Sequence, residues 1–322
     1  MNGYSYEQKQ SPIPVWIDLD TGVDDAIALM CACALEAKGK LIIKGVSAVS
    51  GNVPLTRTFE NCRDVLSMCG RSDIPVYAGA DRPLIEEPFN AVGAHGADGL
   101  GGNILEPSKA PRETEKAWDA LYRCAQECHG ELELILTGPE TNAAIAFMKY
   151  PQLKTMIRRI LVMGGADIGG NATAAAEFNI YADPHAAQAV LESGLPIVMC
   201  GLDVTMKAVL PGRQVRELVG LGAKAAPFFQ ASMELVNTIM KGTLGDECTV
   251  HDACPVLYAV YPELFTGVEC GVSVETRGTL TRGQTVTDWD TDNKFPVRNV
   301  LLVRDVDRAA FAQRLMELLA PR

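Results

Sequence analysis

The stretch Val15-Trp16-Ile17-Asp18-Leu19-Asp20-Thr21-Gly22-Val23-Asp24-Asp25-Ala26 decides the fold. An apolar, partly β-branched run reaches a Gly-containing turn and passes into residues of helical period, 24–37, so a buried strand feeds a helix. The alternation continues outward from there. Residues 41–49, 74–78, 132–137, 159–163, 196–200 and 299–303 read as further buried strands, and 56–69, 114–128, 142–150 and 184–193 as the amphipathic helices between them. Such alternation predicts an α/β fold: one domain spanning 1–322, with a mostly parallel, doubly wound, Rossmann-like central sheet and helices on both faces. Any site then belongs at the carboxyl ends of the strands, near a switch in strand order. Residues 212–249 read as mainly helical, and 271–297, rich in Thr, Gly and Asp, as a loop or small hairpin leading into the last strand.

Composition narrows the function. The 322 residues carry 29 Lys+Arg against 40 Asp+Glu, a net charge of −11, with no basic run, so nucleic acid is not an expected partner. Residues 1–10 lack the basic and apolar regions of a secretory signal, and the longest uncharged apolar stretch, 26–35, is too short to span a bilayer. A cytoplasmic protein without a membrane partner is expected. The ten cysteines are scattered through apolar segments and read as reduced core residues. The tightest grouping, Cys124, Cys128 and His129, could touch a metal but lacks a second cluster, and helix packing accounts for it.

Chemistry concentrates where the fold was read. Asp18, Asp20, Asp24 and Asp25 fall within eight residues at the strand-to-helix turn. Asp18 and Asp20 point to the same side of an extended chain, and Asp24 and Asp25 open the helix, where free amides favour negative charge. Asp is common in turns and caps, which accounts for one or two of the four. Two carboxylates about 4 Å apart repel by roughly 4 kcal/mol at an effective dielectric near 20. The cluster therefore needs protons or a cation, and all-oxygen ligation favours Ca²⁺ or Mg²⁺, with the geometrically tolerant Ca²⁺ the better match to a loop-built site. An EF-hand fails on spacing, because Val23 and Leu29 stand where that loop needs Gly and Glu. A phosphatase of the haloacid dehalogenase type also opens with Asp-x-Asp, but its following Gly-Thr is reversed here as Thr21-Gly22. No Walker-type string, dinucleotide fingerprint or Gly-x-Ser-x-Gly elbow occurs.

The run Asp18-x-Asp20-x-x-x-Asp24-Asp25 resembles the signature of the nucleoside hydrolases, in particular the inosine-uridine preferring type, which cleave the N-glycosidic bond of ribonucleosides. The resemblance continues in order through Ser50-Gly51-Asn52, 136–142 (Leu-Thr-Gly-Pro-Glu-Thr-Asn), Met163-Gly164-Gly165, Asn171, Ala176-Glu177-Phe178-Asn179 and Val250-His251-Asp252-Ala253. It implies that Asp20, Asp25, Asp252 and the Thr137 carbonyl hold one Ca²⁺, with substrate hydroxyls and a water completing the shell. Asp20 is then the general base on that water, and Asp18 orients the shell. It places Asp24, Asn52, Asn171, Glu177 and Asn179 on the ribose, with Met163 beside the sugar, though Asn in a loop also caps and turns the backbone. His251, next to Asp252, is the implied general acid for the departing base; its plainer reading is a solvent-exposed helix-start histidine. His95 sits in a glycine-dense loop suited to a lid over a ribonucleoside, while His129 and His185 read as surface helix residues. A homodimer or homotetramer is implied by the resemblance alone.

Two departures bear on the base. Met206 in Asp203-Val204-Thr205-Met206-Lys207 occupies a position where relatives often carry His, and the helix expected over 228–240 offers Phe228, Phe229 and Met233 but no Tyr. Retention of His251, and just three tryptophans, lean toward pyrimidine or mixed inosine and uridine preference. Beside the hydrolase stand two alternatives: a catalytically silent nucleoside- or ribose-binding protein, and a Mg²⁺-dependent phosphatase.

Overall fold

The computed structural model describes residues 11–239, 246–289, 295 and 297–321. The polar lead 1–10, Met240 and parts of the 212–249 and 271–297 segments lie outside the described residues. The chain begins β1 (Ile13–Leu19), α1 (Val23–Ala37), β2 (Leu41–Ala48), α2 (Leu55–Met68), β3 (Val76–Ala78), α3 (Val92–His95) and α4 (Ala117–Glu127). It continues through β4 (Leu132–Leu136), α5 (Thr141–Lys149), β5 (Ile157–Met163), α6 (Phe178–Ala182), α7 (Pro184–Leu191), β6 (Ile197–Cys200) and α8 (Leu202–Thr205). The last part holds β7 (Val209–Pro211), α9 (Gly212–Gly220), α10 (Ala226–Ile239), β8 (Glu247–Thr249), α11 (Ala253–Val260), β9 (Phe265–Val274), β10 (Thr285–Asp288), β11 (Val300–Val306) and α12 (Arg308–Leu319).

The central sheet runs β10-β9-β11-β6-β5-β4-β1-β2-β3. From β3 to β11 every pairing is parallel, as the alternation of strand and helix requires. Helices cover both faces and build two cores. Val15, Ile17 and Leu19 of β1 enter one with α1, α10, α11 and α12, whereas Trp16 enters the other with α4, α5 and α7. That two-sided burial is why β1 reads as a continuous apolar run.

β1 pairs with β2 on one side and β4 on the other, so the winding reverses direction at β1. The carboxyl ends of β1 and β4 thus flank the switch point, where an open α/β sheet leaves a crevice. Asp18 and Asp20 lie at the end of one strand and Thr137 at the end of the other.

Differences from the sequence reading lie at the sheet's margin. β9 is antiparallel to β11 and β10 antiparallel to β9. The expected hairpin is present, but its first strand starts at Phe265, because residues 266–269 are exposed at the sheet edge and show no apolar run. The mainly helical 212–249 segment ends in β8, which pairs with β7 in a separate two-stranded sheet. His129 is not helical. It occupies the turn after α4 with a φ of 50°, while His185 sits within α7.

All ten cysteines are free. Among the described residues no helix is long and apolar enough to cross a membrane.

Gly45 of β2 lies opposite Trp16 in the ladder, and a Cβ there would meet Trp16 Cζ3 at 2.5 Å. The indole stacks on Tyr77 with centroids 5.4 Å apart and donates to Ser47 Oγ at 2.8 Å, so it has little room to yield. Gly45→Ala is expected to destabilise the fold by about 1–3 kcal/mol, read from the urea midpoint; an unchanged midpoint would show that the aromatic stack can shift.

Candidate active site

Each acidic side chain at the end of β1 has its own support. Asp18 Oδ2 accepts from Ser47 Oγ and from Asn142 Nδ2, the latter at 2.8 Å. The Trp16–Ser47 bond extends this chain of contacts into the core. Asp20 Oδ2 accepts from Asn52 N at 2.7 Å, while its Oδ1 is buried without a hydrogen-bond partner. Asp25, in the first turn of α1, accepts from Gly22 N at 2.8 Å, Asn52 Nδ2 at 3.2 Å and Thr137 Oγ1 at 2.8 Å. Asp252 arrives from the start of α11. Possible ligand atoms of Asp24, Asp25 and Asp252 lie within 4.8 Å of one another.

Backbone space is cut to fit Asp20. A Cβ at Gly51 would collide with the Asp20 carboxylate, and one at Gly138 would lie 2.9 Å from Asp20 N and Oδ1. Glycines in both family-like strings are therefore required by close approach.

Burial and mutual repulsion raise the carboxyl groups. Asp25 is pushed up to about 7, chiefly by burial and then by Asp24. Asp18 also stands at about 7 through burial, opposed by its Ser47 and Asn142 bonds. Asp20 and Asp252 lie well above the usual carboxylate range, first from burial, then from Asp25 and Asp24 respectively. Among the described residues no Lys or Arg forms a salt bridge with Asp18, Asp20, Asp24, Asp25 or Asp252; His95 Nδ1 lies 3.8 Å from Asp24 Oδ1. Hard oxygen donors, orphaned buried oxygens on Asp18 and Asp20 and the lack of a Lys or Arg salt bridge among the described residues suit a divalent cation. The expected ligand set is Asp20, Asp25, Thr137 and Asp252; the tight group is Asp24, Asp25 and Asp252, with Asp20 outside it and joined to Asp25 through Asn52.

Among the residues expected at the sugar, Asn52 and Asn179 are bonded into the acidic cluster and its strand ends, and Asn171 is not. Asn52 bridges Asp20 and Asp25. Asn179 Nδ2 donates to the carbonyls of Thr137 at 2.9 Å and Met163 at 3.0 Å, joining the ends of β4 and β5. Glu177 Oε2 accepts from Gly165 N and Ile180 N, capping α6, and its carboxyl is raised by burial to about 7. Asn171 is exposed, and its Oδ1 accepts from Phe178 N at 2.9 Å; it is the capping residue that Asn in a loop often becomes.

Two histidines face this group. His95 Nδ1 accepts from Val23 N at 3.2 Å; Asn61 ties its loop to the β1–α1 turn by donating to Thr21 O and Asp98 O, and Asn90 ties it to the turn after β2 by donating to Gly51 O. His251 Nδ1 lies 2.8 Å from Thr205 Oγ1. Burial lowers both imidazoles below their ordinary range, while Asp24 pulls each the other way.

Sequence reasoning assigned no role to Ser47, Asn142 or Thr205. Asn142 and Thr205 stood inside quoted strings, but their partners, Asp18 and His251, are distant in sequence. Ser47 carried no local signal at all. On the base side, Phe228 and Phe229 are core residues, and Met206 is 41% exposed.

A switch-point site of buried carboxylates with flanking histidines, able to hold a metal ion, defines an α/β protein with a candidate enzyme site. The chain matches the family described as inosine-uridine preferring nucleoside hydrolase over residues 15–313, and it belongs to that family. It is 39% identical over 317 residues to the pyrimidine-specific ribonucleoside hydrolase RihA of Salmonella enteritidis and to that of Salmonella typhimurium, covering 95% of this chain and 98% of each relative. Among solved structures it superposes on the plant nucleoside hydrolase PpNRh1 with a TM-score of 0.88 at 30% identity, covering 96% of this chain and 100% of the other. A purine-preferring ribonucleoside hydrolase from Gardnerella vaginalis gives 0.87 at 30%, covering 95% and 97%. The protein is an N-glycosidase acting on ribonucleosides, and the phosphatase and silent-binder alternatives fall away.

A carboxyl near 7 in the fold and near 4 when unfolded keeps a proton that unfolding releases, so this set costs the metal-free protein stability as pH rises from about 4 through about 7. Cation binding needs the same groups ionised and strengthens over that window. Saturating Ca²⁺ should raise the melting temperature more at about pH 8 than at about pH 5.5; an equal rise at both would place the cation elsewhere.

Proposed function

We propose that the protein is a Ca²⁺-dependent ribonucleoside hydrolase in which Asp20 is the general base and His251 the general acid. The observation that carries this reading is the buried meeting of Asp24, Asp25 and Asp252, with buried Asp20 beside Asp25, without a Lys or Arg salt bridge among the described residues. Asp20, Asp25, Asp252 and the Thr137 carbonyl hold the cation, with Asp24 at its border. When bound, Ca²⁺ supplies the charge that keeps these carboxylates ionised, engages ribose hydroxyls and makes the attacking water more acidic.

The chain's own groups then divide the work. Asp20, whose buried Oδ1 has no other partner, takes the proton from the water as it attacks C1′. The surrounding carboxylates stabilise positive charge developing on the ribose. Asp24, Asn52, Glu177 and Asn179 orient the ribose, with His95 and Met163 beside it and Asn171 at the exposed edge. His251 protonates the departing base through Nε2, since Nδ1 is engaged by Thr205.

For the base we propose pyrimidine or mixed inosine and uridine preference. The Salmonella relatives described as pyrimidine-specific support it, as does the placement of the tryptophans. Trp16 is stacked on Tyr77 in the core, Trp118 packs against the same core, and Trp289 lies under Arg304, so no pair is placed to sandwich a base. Ten free cysteines fit a reducing compartment, and we place the protein in the cytoplasm as a homodimer or homotetramer, the assembly being carried over from the family resemblance.

The direct test incubates the protein with Ca²⁺ and a panel of nucleosides and nucleotides. Free base from uridine and inosine without release or consumption of phosphate is expected; phosphate release, or no product, would overturn the reading. Asp20→Ala should remain folded and lose on the order of 10²–10⁴-fold in kcat, and near-normal turnover would remove Asp20 from the mechanism. His251→Ala should impair uridine hydrolysis by about 10²-fold or more but spare p-nitrophenyl riboside, whose leaving group needs no proton. Equal losses would argue against His251 as the acid.

A further inference from the structure

The segment after β6 and the segment before α11 are distant in sequence, yet an antiparallel ladder fastens them side by side. Val209, Leu210 and Pro211 pair with Thr249, Cys248 and Glu247, and Val250 N extends the ladder by donating to Ala208 O at 3.2 Å. Just beyond it, α8 ends at Thr205 and His251 precedes α11, and there the two side chains meet at 2.8 Å.

The short α8 is itself held. Leu202 N donates to Gly165 O at 2.9 Å, and Thr205 N to Gly201 O at 3.0 Å. Asp203 Oδ2 accepts from Asp167 N at 2.9 Å, which ties α8 to the loop after β5. Thr205 is fully buried, so its hydroxyl depends on a protein partner rather than on bulk water.

We propose that Thr205 is a positioning residue for the reaction: its hydroxyl fixes the ring of His251 so that Nε2 faces the leaving base. The inference rests on His251 being the general acid. Because the proton leaves from Nε2, Nδ1 keeps its hydrogen before and after the transfer, and the buried Thr205 hydroxyl accepts from Nδ1–H throughout. The ladder between β7 and β8 supplies the rigidity, because a hydrogen bond orients a ring only if its partner cannot follow the ring's motion.

The test compares Thr205→Val, which keeps the side-chain shape and removes the hydroxyl, with Thr205→Ser, which keeps the hydroxyl, on uridine and on p-nitrophenyl riboside. Thr205→Val is expected to lose about tenfold in kcat on uridine, the scale of one hydrogen bond, with KM within about twofold and p-nitrophenyl riboside spared. Thr205→Ser should recover most of the loss. Thr205→Ala repeats the comparison should valine prevent folding.

Equal losses on both substrates, or failure of serine to recover, would reduce Thr205 to a packing residue and overturn the proposal. So would unchanged turnover in Thr205→Val while His251→Ala keeps its selective defect, a result that leaves the general-acid reading intact. If His251→Ala itself impairs both substrates equally, that reading fails and this proposal with it.

Discussion

Repulsion among buried carboxylates is the constraint on which the rest of this molecule depends. Asp18, Asp20, Asp25 and Asp252 are all nearly inaccessible to solvent, and Asp24 is only slightly more open. Such a group is stable only where each oxygen is hydrogen-bonded, protonated or shared with a cation. The protein uses the first two openly: backbone amides of Gly22 and Asn52 and the hydroxyls of Ser47 and Thr137 take up part of the charge, and burial raises the acids that remain. Asp18 and Asp20 each keep one buried oxygen without a hydrogen-bond partner among the described residues.

The fold serves that cluster from the centre outward. A switch in winding at β1 opens the crevice between β1 and β4. The stack of Trp16 on Tyr77, with Gly45 beneath the indole, keeps the strand under Asp18 from moving, and the Asp18–Asn142 bond reaches across to α5. Gly51 and Gly138 allow the backbone to close around Asp20, and Gly22 leaves room for His95 and Asn52. The acidic cluster thus rests on steric fit at glycine as much as on the acids themselves. Glu140, buried close to Glu177, Asp183 and Asp18 with neither oxygen hydrogen-bonded among the described residues, extends the same acidic environment; burial pushes its pKa well above the usual range.

The parallel heart of the sheet was legible because buried strands must be apolar on both faces, which makes them stand out as runs. β9 escaped for the opposite reason: half of it faces solvent at an edge, and Gly267 and Gly271 break what pattern is left. β7 and β8 were too short to show a period, although they carry Thr205 to His251. At the site, acids clustered in sequence announced themselves, whereas Ser47 and Thr205 matter only through partners that the fold brings from afar. Asn171 shows the converse. Its place in a family-like string pointed to the sugar, and its side chain caps the start of α6.

The central claim is that the carboxylate cluster holds one cation per chain and is built around it. Calorimetric titration of chelator-treated protein with Ca²⁺, repeated in buffers of different ionisation enthalpy, measures stoichiometry and proton release together. One Ca²⁺ per chain is predicted, with release of protons near neutral pH and loss of binding in Asp25→Asn. Absence of binding, or binding that survives unchanged in that variant, would contradict the account.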